Sequence, residues 1–153
     1  MIALNLPKAD FRFRREGDGI YVFDALRRRY VKFTPEEYVR QSFVNFLVVH
    51  KGYPRGLMNN EVAIEINSVK LRCDTVVYDR DMRPLMIVEY KAPTCAIDET
   101  VLRQAYVYNM ALRAHYLVLS NGLAHHCFHV DYVANEMHRL DALPDYQDLC
   151  LNV

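Results

Sequence analysis

Two apolar segments that flank a short polar turn constrain the fold of this chain more than any other feature. Residues 72–78 and 85–91 alternate in the manner of two antiparallel strands, and the second segment ends in an acid-x-lysine triplet. In this hairpin Asp74 lies opposite Glu89, and Lys91 points to the same face because side chains alternate along a strand. Two carboxylates held about 5 Å apart at Cβ repel each other unless a positive charge lies between them. A divalent metal ion is the simplest such charge.

The predicted register depends on the turn. With residues 80–83 in the turn, Asp79 faces Pro84, and the face that carries the two carboxylates continues as apolar packing. The apolar residues on that face are Val76, Tyr78, Leu85 and Ile87. The competing interpretation is a ladder of cross-strand ion pairs on a solvated sheet surface. We favour a functional site, because a solvated surface would not continue as apolar packing.

Length and composition indicate one domain. The chain has 153 residues, of which 52% are apolar, and this is enough to bury a core without disulfides or a structural metal. The cysteines have no CxxC spacing and are expected to be reduced thiols: Cys73, Cys95, Cys127 and Cys150. No segment reaches the roughly 20 apolar residues of a membrane span, and the N-terminus lacks a signal-peptide pattern. We therefore expect a cytoplasmic protein that does not contact membranes.

The charge is balanced overall, with 19 basic and 19 acidic residues, but it is unevenly spread. Six arginines make the first thirty residues basic: Arg12, Arg14, Arg15, Arg27, Arg28 and Arg29. Such a cluster can contact phosphate groups. A solvated surface is the alternative interpretation and the favoured one.

Local signals place a first helix after two short strands. Residues 20–23 and 30–33 have the composition of strands. Thr34 then suits the N-cap position, and Glu37 completes a capping box three residues later. The helix is expected to end at Gly52.

The rest of the chain predicts an α/β sandwich with a mixed sheet. A strand over 57–66 precedes the hairpin, and a helix over 98–113 is followed by strands at 116–120 and 124–130. The resulting order is α-β-β-β-α-β-β, in which a strand that follows a crossover helix can pair in parallel. The single domain is divided into an N-terminal hairpin extension (1–33), a core (34–131) and a C-terminal tail (132–153).

Five segments of the chain, taken in order, carry a resemblance to a known family. They are residues 34–41, 72–78, 88–93, 104–109 and 120–122. Together they resemble the PD-(D/E)xK nuclease superfamily, and more closely the small proteins similar to the N-terminal nuclease domain of type I restriction enzyme R subunits. The resemblance extends over about residues 20–131.

The resemblance implies a restriction-endonuclease-like three-layer sandwich and an endonuclease that hydrolyses DNA phosphodiester bonds in a restriction or defence system. Asp74, Glu89 and Lys91 correspond to the two acids and the lysine of the family pattern. Lys91 would orient a water molecule or stabilise charge in the transition state. Gln104 and Tyr108 correspond to polar residues of the following helix, which would hold water, phosphate or the lysine in place.

The expected cofactor is Mg²⁺, or Mn²⁺ in its place, because hard oxygen ligands select these ions. Asp74 and Glu89 would bind the metal together with the backbone carbonyl of Tyr90. A glutamate of the first helix often completes such a site, and here Glu37 is preferred to Glu36.

Several alternatives stay open. The chain could be a catalytically silent nuclease-fold module that binds nucleic acid or a protein partner, or its hairpin could serve mainly to form a homodimer. A partner subunit could supply the target specificity that this sequence does not explain. His125, Cys127 and His129 share one strand face, but the spacing offers no fourth zinc ligand.

Overall fold

The computed structural model describes residues 1–151 of the chain. Within these residues it contains two sheets and three helices. The strands are β1 (Phe13–Glu16), β2 (Gly19–Asp24), β3 (Arg29–Lys32), β4 (Met58–Ile66), β5 (Val69–Tyr78), β6 (Pro84–Tyr90), β7 (Tyr116–Ser120), β8 (His125–Asp131) and β9 (Glu136–Leu140). The helices are α1 (Pro35–His50), α2 (Glu99–Leu112) and α3 (Tyr146–Leu151), and a 3-10 turn spans Arg55–Leu57.

The larger sheet has six strands in the order β4-β5-β6-β7-β8-β9. Strands β6 and β7 pair in parallel, because α2 carries the chain back across the sheet between them, and all other neighbours are antiparallel. Helix α1 packs on one face of this sheet and α2 on the other. The predicted α/β sandwich with a mixed sheet is confirmed.

Helix α1 begins where the sequence predicted. The hydroxyl of Thr34 accepts a hydrogen bond from the N–H of Glu37 at 3.0 Å, and a proline follows at the first helical position. The apolar stripe of Val39, Phe43 and Leu47 is fully buried against the sheet. This burial fixes the start of α1 next to the strands that carry Asp74 and Glu89.

Helix α2 covers the opposite face. The carboxylate of Asp98 caps it by accepting the N–H of Val101 at 3.1 Å. Ala105 is fully buried, and with Val101 and Leu112 it packs in the same cluster as Val76 and Ile87 of the sheet. The chain therefore passes directly from the acid-bearing strand into the helix above it.

The structure corrects the predicted hairpin register at its turn. Asp79 does not face Pro84; instead Tyr78 pairs with Pro84, because a bulge shifts the ladder between Val77 and Tyr78. The Asp79 carboxylate accepts two backbone N–H groups of the turn and draws this residue into the loop. Leu85 consequently packs on the α1 side of the sheet rather than beside Val76.

Three elements were not predicted from the sequence. Strand β1 adds a third strand to the N-terminal hairpin, and β9 extends the large sheet beyond β8. Helix α3 closes the α1 side, where Tyr146 packs against Tyr53 and donates to the carbonyl of Tyr78 at 2.9 Å. Among residues 1–151, no helix is long and apolar enough to cross a membrane.

Candidate active site

Strands β5 and β6 separate at the two predicted acids. Their ladder ends at the pair Thr75 and Val88, and the next residues in that register are Asp74 and Glu89. Each carboxylate accepts a backbone N–H of the facing strand. The N–H of Tyr90 donates to Asp74 Oδ2 at 2.8 Å, and the N–H of Asp74 donates to Glu89 Oε1 at 3.4 Å. The structure therefore brings both carboxylates together at the point where the strands diverge.

The surroundings of Glu89 favour its protonated form. Burial raises its pKa well above the ordinary value, and the nearby charge of Asp74 raises it further. The positive charge of Lys91 opposes this shift but does not cancel it. A raised pKa is the direction expected for a buried carboxyl group beside a second carboxylate.

Arg40 of α1 supplies the nearest positive charge. Its guanidinium donates to Glu37 at 2.5 Å, to Glu61 at 2.6 Å and to Asp74 at 3.0 Å. The residue is only 4% exposed, and its Nε is buried without a hydrogen-bond partner among residues 1–151. Because three carboxylates surround it, the pKa of Arg40 is raised despite its burial. The sequence analysis did not identify Arg40 as part of the site.

Glu61 reaches this cluster through an irregularity of β4. It lies between the residues Asn60 and Val62 that pair with β5, and its φ is +57°. Its carboxylate lies 2.6 Å from Arg40, and Arg72 lies 3.6 Å from its other oxygen. The strand alternation does not mark this position, because a left-handed backbone conformation leaves no trace in the pattern of apolar residues.

The two glutamates at the start of α1 have different surroundings. Glu37 is buried and bound by Arg27, Arg40 and Gln41, so its carboxylate is committed to a structural network. Glu36 is influenced by the charges of Asp74 and Lys91. Partial burial raises the pKa of Glu36, the charge of Asp74 raises it further, and Arg40 partly offsets these effects.

Lys91 and the two polar residues of α2 have different partners. The charge of Lys91 acts on both Glu36 and Glu89, and its backbone N–H donates to the carbonyl of Ser120. On α2, the amide of Gln104 donates to the hydroxyl of Tyr108 at 2.9 Å, so these two side chains, one turn apart, bind each other. Their role beside the acids stays a prediction.

A buried polar chain supports the site from behind. The hydroxyl of Thr75 donates to Asn60 Oδ1 at 2.6 Å and lies 3.0 Å from the hydroxyl of Tyr90. Asn60 in turn donates to Asp24 of the small sheet at 2.9 Å. Satisfied buried networks of this kind restrict the core to one arrangement, so they fix the strand that carries Glu89.

The histidines and cysteine of β8 have structural partners. The ring of His125 lies between the hydroxyl of Ser120, at 2.8 Å, and the carbonyl of Asn5, at 2.9 Å. Cys127 is buried in the core, and this raises the pKa of its thiol to about 12. A protonated thiol is a poor zinc ligand.

Within residues 1–151, no group of three or more His, Cys, Asp and Glu side chains is already arranged to hold a metal. Arg40 occupies the centre of the nearest acidic cluster. The donor set still suits Mg²⁺, because this ion is usually held by one or two carboxylates and completes its shell with water and substrate phosphate. Asp74 and Glu89 provide two such carboxylates, once the proton on Glu89 is released.

A similar fold occurs in a solved structure. It is a fragment of a putative HsdR subunit of a type I restriction enzyme from Vibrio vulnificus YJ016, with a TM-score of 0.54 and 18% sequence identity. The match covers 76% of this chain and 25% of that chain, so this chain spans about a quarter of its length. At this identity the likeness shows a shared fold. No curated protein matches this sequence.

The family model for the type I restriction enzyme R protein N terminus (HSDR_N) matches residues 35–144. The matched region begins with α1 and includes every strand of the large sheet. The small sheet formed by β1, β2 and β3 precedes it. Because the match covers more than half of the sequence, the chain belongs to the family of the type I restriction enzyme R protein N terminus.

Proposed function

We propose that this chain is a metal-dependent nuclease domain of the PD-(D/E)xK type, which hydrolyses DNA phosphodiester bonds in a restriction system. The observation that carries the proposal is the position of Asp74 and Glu89 where β5 and β6 diverge: each carboxylate accepts a backbone N–H of the facing strand, and the charge of Lys91 acts on Glu89. Family membership supports the restriction context. A type I assembly would provide partner subunits and DNA, and this chain would act together with them or as a homodimer.

The residues have distinct roles in this proposal. Asp74 and Glu89, with the carbonyl of Tyr90, would hold Mg²⁺ or Mn²⁺. A bound ion of this kind screens the phosphate charge and lowers the pKa of a coordinated water. Lys91 would orient that water and stabilise negative charge that develops on the phosphate.

The α1 glutamates and the α2 residues would complete the site. Glu36 is favoured as the additional acid from α1, because the carboxylate of Glu37 is already bound by Arg27 and Gln41, whereas the charges of Asp74 and Lys91 act on Glu36. Glu37 would then act through Arg40, which positions Asp74. The linked pair of Gln104 and Tyr108 would orient water or phosphate on the side opposite to α1.

Calorimetric titration with Mn²⁺ tests the metal site. The wild-type protein should show saturable binding, and the Asp74→Ala, Glu89→Ala double variant should show none. A double variant at exposed carboxylates, Asp81→Ala with Glu136→Ala, is the matched control and should bind as the wild type does. Equal binding by all three proteins, or binding by none, would contradict the proposal.

The protonated state of Glu89 adds a second readout to the same titration. Because metal ligands must be deprotonated, Mn²⁺ binding at pH 7 should release close to one proton. The apparent heat should therefore change with the ionisation enthalpy of the buffer. The same heat in PIPES and Tris buffers would show that Mn²⁺ binding releases no proton, which would contradict a protonated Glu89 in the metal-free site.

A second candidate function is a non-catalytic module that binds nucleic acid or protein. The ion pairs of Arg40 favour it, since they balance the acidic cluster without any metal. Lys91→Ala separates the two functions when a nicked-plasmid assay and a DNA-binding assay are run together. Lost cleavage with retained binding supports catalysis, whereas unchanged nicking by Lys91→Ala would assign any observed activity to another site or to a contaminant.

A further inference from the structure

The positive charge of this chain is concentrated outside its catalytic core. The first 33 residues contain eight basic and four acidic residues, and the remaining 120 contain 11 basic and 15 acidic residues. The core that carries Asp74 and Glu89 is therefore net acidic and repels a polyanion, whereas the segment that forms the small sheet is net basic. A nuclease built in this way needs the N-terminal segment to approach DNA.

The strand register sorts the side chains of the small sheet onto two faces. Residues Arg14, Tyr21 and Lys32 are neighbours across β1, β2 and β3. One row further, Phe23 pairs with Tyr30, and the N–H of Phe23 bonds to the carbonyl of Arg12. Because alternate residues share a face, these side chains form one surface, which we call the basic face: Arg12, Arg14, Tyr21, Phe23, Tyr30 and Lys32.

The other face of the small sheet is partly buried, since Phe13 and Ile20 on it are 47% and 44% exposed. Val22 is fully buried, and the ring of Phe33 contacts Tyr38 of α1 at a centroid distance of 5.9 Å. Phe13 packs edge-on against Phe33 at 5.1 Å. The three cations of the basic face are exposed, and its Arg12 end borders a cleft beside α1.

Aromatic rings hold the two arginines of the basic face in place. The guanidinium of Arg12 lies 3.9 Å above the ring of Phe23, and that of Arg14 lies 4.4 Å above the ring of Tyr30. A stacked guanidinium keeps the N–H groups at its edge available, and less rotamer entropy is lost when it binds phosphate. Arg14 also pairs with Glu16 at 2.6 Å on the surface, a contact that solvent weakens and a phosphate can replace.

The small sheet is tied to the active site by buried ion pairs. Asp24, at the end of β2, binds both Arg27 and Asn60. Arg27 binds Glu37 at 2.5 Å, and Glu37 is bridged by Arg40 to Asp74. The basic face thus belongs to an element whose position is fixed relative to the acids.

We propose that the basic face binds the phosphate backbone of duplex DNA and holds it beside the Asp74 and Glu89 site. The face is a flat array of cations whose nearest rings are already covered by guanidinium groups, so it fits phosphate rather than stacked bases. Duplex DNA presents one charge per about 1.7 Å of its axis and matches such an array. The choice of DNA as the ligand rests on the proposed function, whereas the location of the surface rests on the small sheet alone.

Fluorescence anisotropy with a labelled 20-base-pair duplex in metal-free buffer tests the proposal, because binding is then measured without cleavage. The triple variant Arg12→Ala, Arg14→Ala, Lys32→Ala should bind at least tenfold more weakly than wild type. For this variant the slope of the logarithm of the binding constant against the logarithm of the salt concentration should be smaller in magnitude by about 2 to 3, since each lost phosphate contact removes about 0.9. The charge-matched control on the core surface is the triple variant Lys70→Ala, Arg80→Ala, Arg139→Ala, which should stay within threefold of wild type.

Tyr30→Leu distinguishes the effect of the stacked guanidinium on DNA affinity from the effect of net charge. It removes the ring under Arg14 without changing the net charge, so a weaker affinity is expected, with a circular dichroism spectrum that matches wild type. An unchanged affinity would contradict the role of the stacked guanidinium.

Three results would overturn the proposal. They are the absence of duplex binding by wild type, equal losses in the two triple variants, and tighter binding of an unpaired strand of the same length. The proposed function fails independently, because the Mn²⁺ titration of the acids does not involve the basic face.

Discussion

Replacing Arg40 with methionine should strongly destabilise the domain. The guanidinium is 4% exposed and bound by three carboxylates, so its removal leaves Glu37 and Asp74 as poorly compensated charges in a buried region. Breaking a buried ion pair by deleting one partner costs about 3–5 kcal/mol. Methionine fills most of the volume, so the loss reflects charge and hydrogen bonding rather than a cavity.

Urea unfolding followed by circular dichroism measures this loss. With a slope of about 2 kcal/mol/M, the midpoint should fall by roughly 1.5–2.5 M. Arg40→Lys keeps the charge but not the fork of donors, so its midpoint should lie between those of wild type and Arg40→Met. It also keeps the test usable if the methionine variant does not fold.

Arg83→Met is the matched control. Arg83 also binds two carboxylates, those of Asp79 and Asp81, but its side chain is 70% exposed. Exposed pairs contribute about 0–1 kcal/mol, so this variant should unfold close to the wild-type midpoint. If Arg40→Met lost less than about 1 kcal/mol, the buried network would contribute no more than a surface ion pair, and the reasoning would be refuted.

Three further predictions concern individual side chains. The fold raises the pKa of Glu89, so the protonated side chain favours the folded state. This contribution to stability is fully present below about pH 4.5 and is lost as the pH rises through the raised pKa. Without metal, Glu89→Gln should therefore melt higher than wild type at pH 8 but not at pH 4; no difference at pH 8 would contradict the shift. Gly122→Ala should lower the free energy of unfolding by about 1–3 kcal/mol, because φ at this residue is +84° and an added Cβ would lie 2.7 Å from a leucine methyl group. Gly17→Ala, where an added Cβ would meet open space, should lower it less in the same melts. A thiol reagent at pH 8 should label exposed Cys95 quickly and buried Cys127 only after unfolding; equal rates would contradict the burial.

Local signals in the sequence were enough to predict the main helices and strands. The Thr34 cap and the spacing of Val39, Phe43 and Leu47 depend only on residues within one or two helical turns. The sequence also predicted that Asp74 and Glu89 meet, because strand alternation places them near each other even when the turn is shifted by one residue. The parallel pairing of β6 and β7 followed from the helix between them.

The sequence was less informative where the local conformation depends on contacts between segments that are distant in the chain. A bulge moved Tyr78 into the pair with Pro84, and Glu61, which contacts Arg40, has a positive φ; neither feature is visible in the alternation. Strand β9 was missed because its residues are mostly exposed at the sheet edge, which weakens the apolar pattern.

The sequence by itself determined which residues can perform the chemistry: two carboxylates at matching positions of a hairpin, and Lys91 two residues beyond Glu89. Only the tertiary structure decided the charge state and the partners of these residues. Arg40 reaches Asp74 from a helix 34 positions earlier in the chain, and burial raises the pKa of Glu89. The physical reason is that hydrogen-bonding periodicity acts over a few residues, whereas desolvation and Coulomb interactions depend on every group that folding brings within a few ångströms.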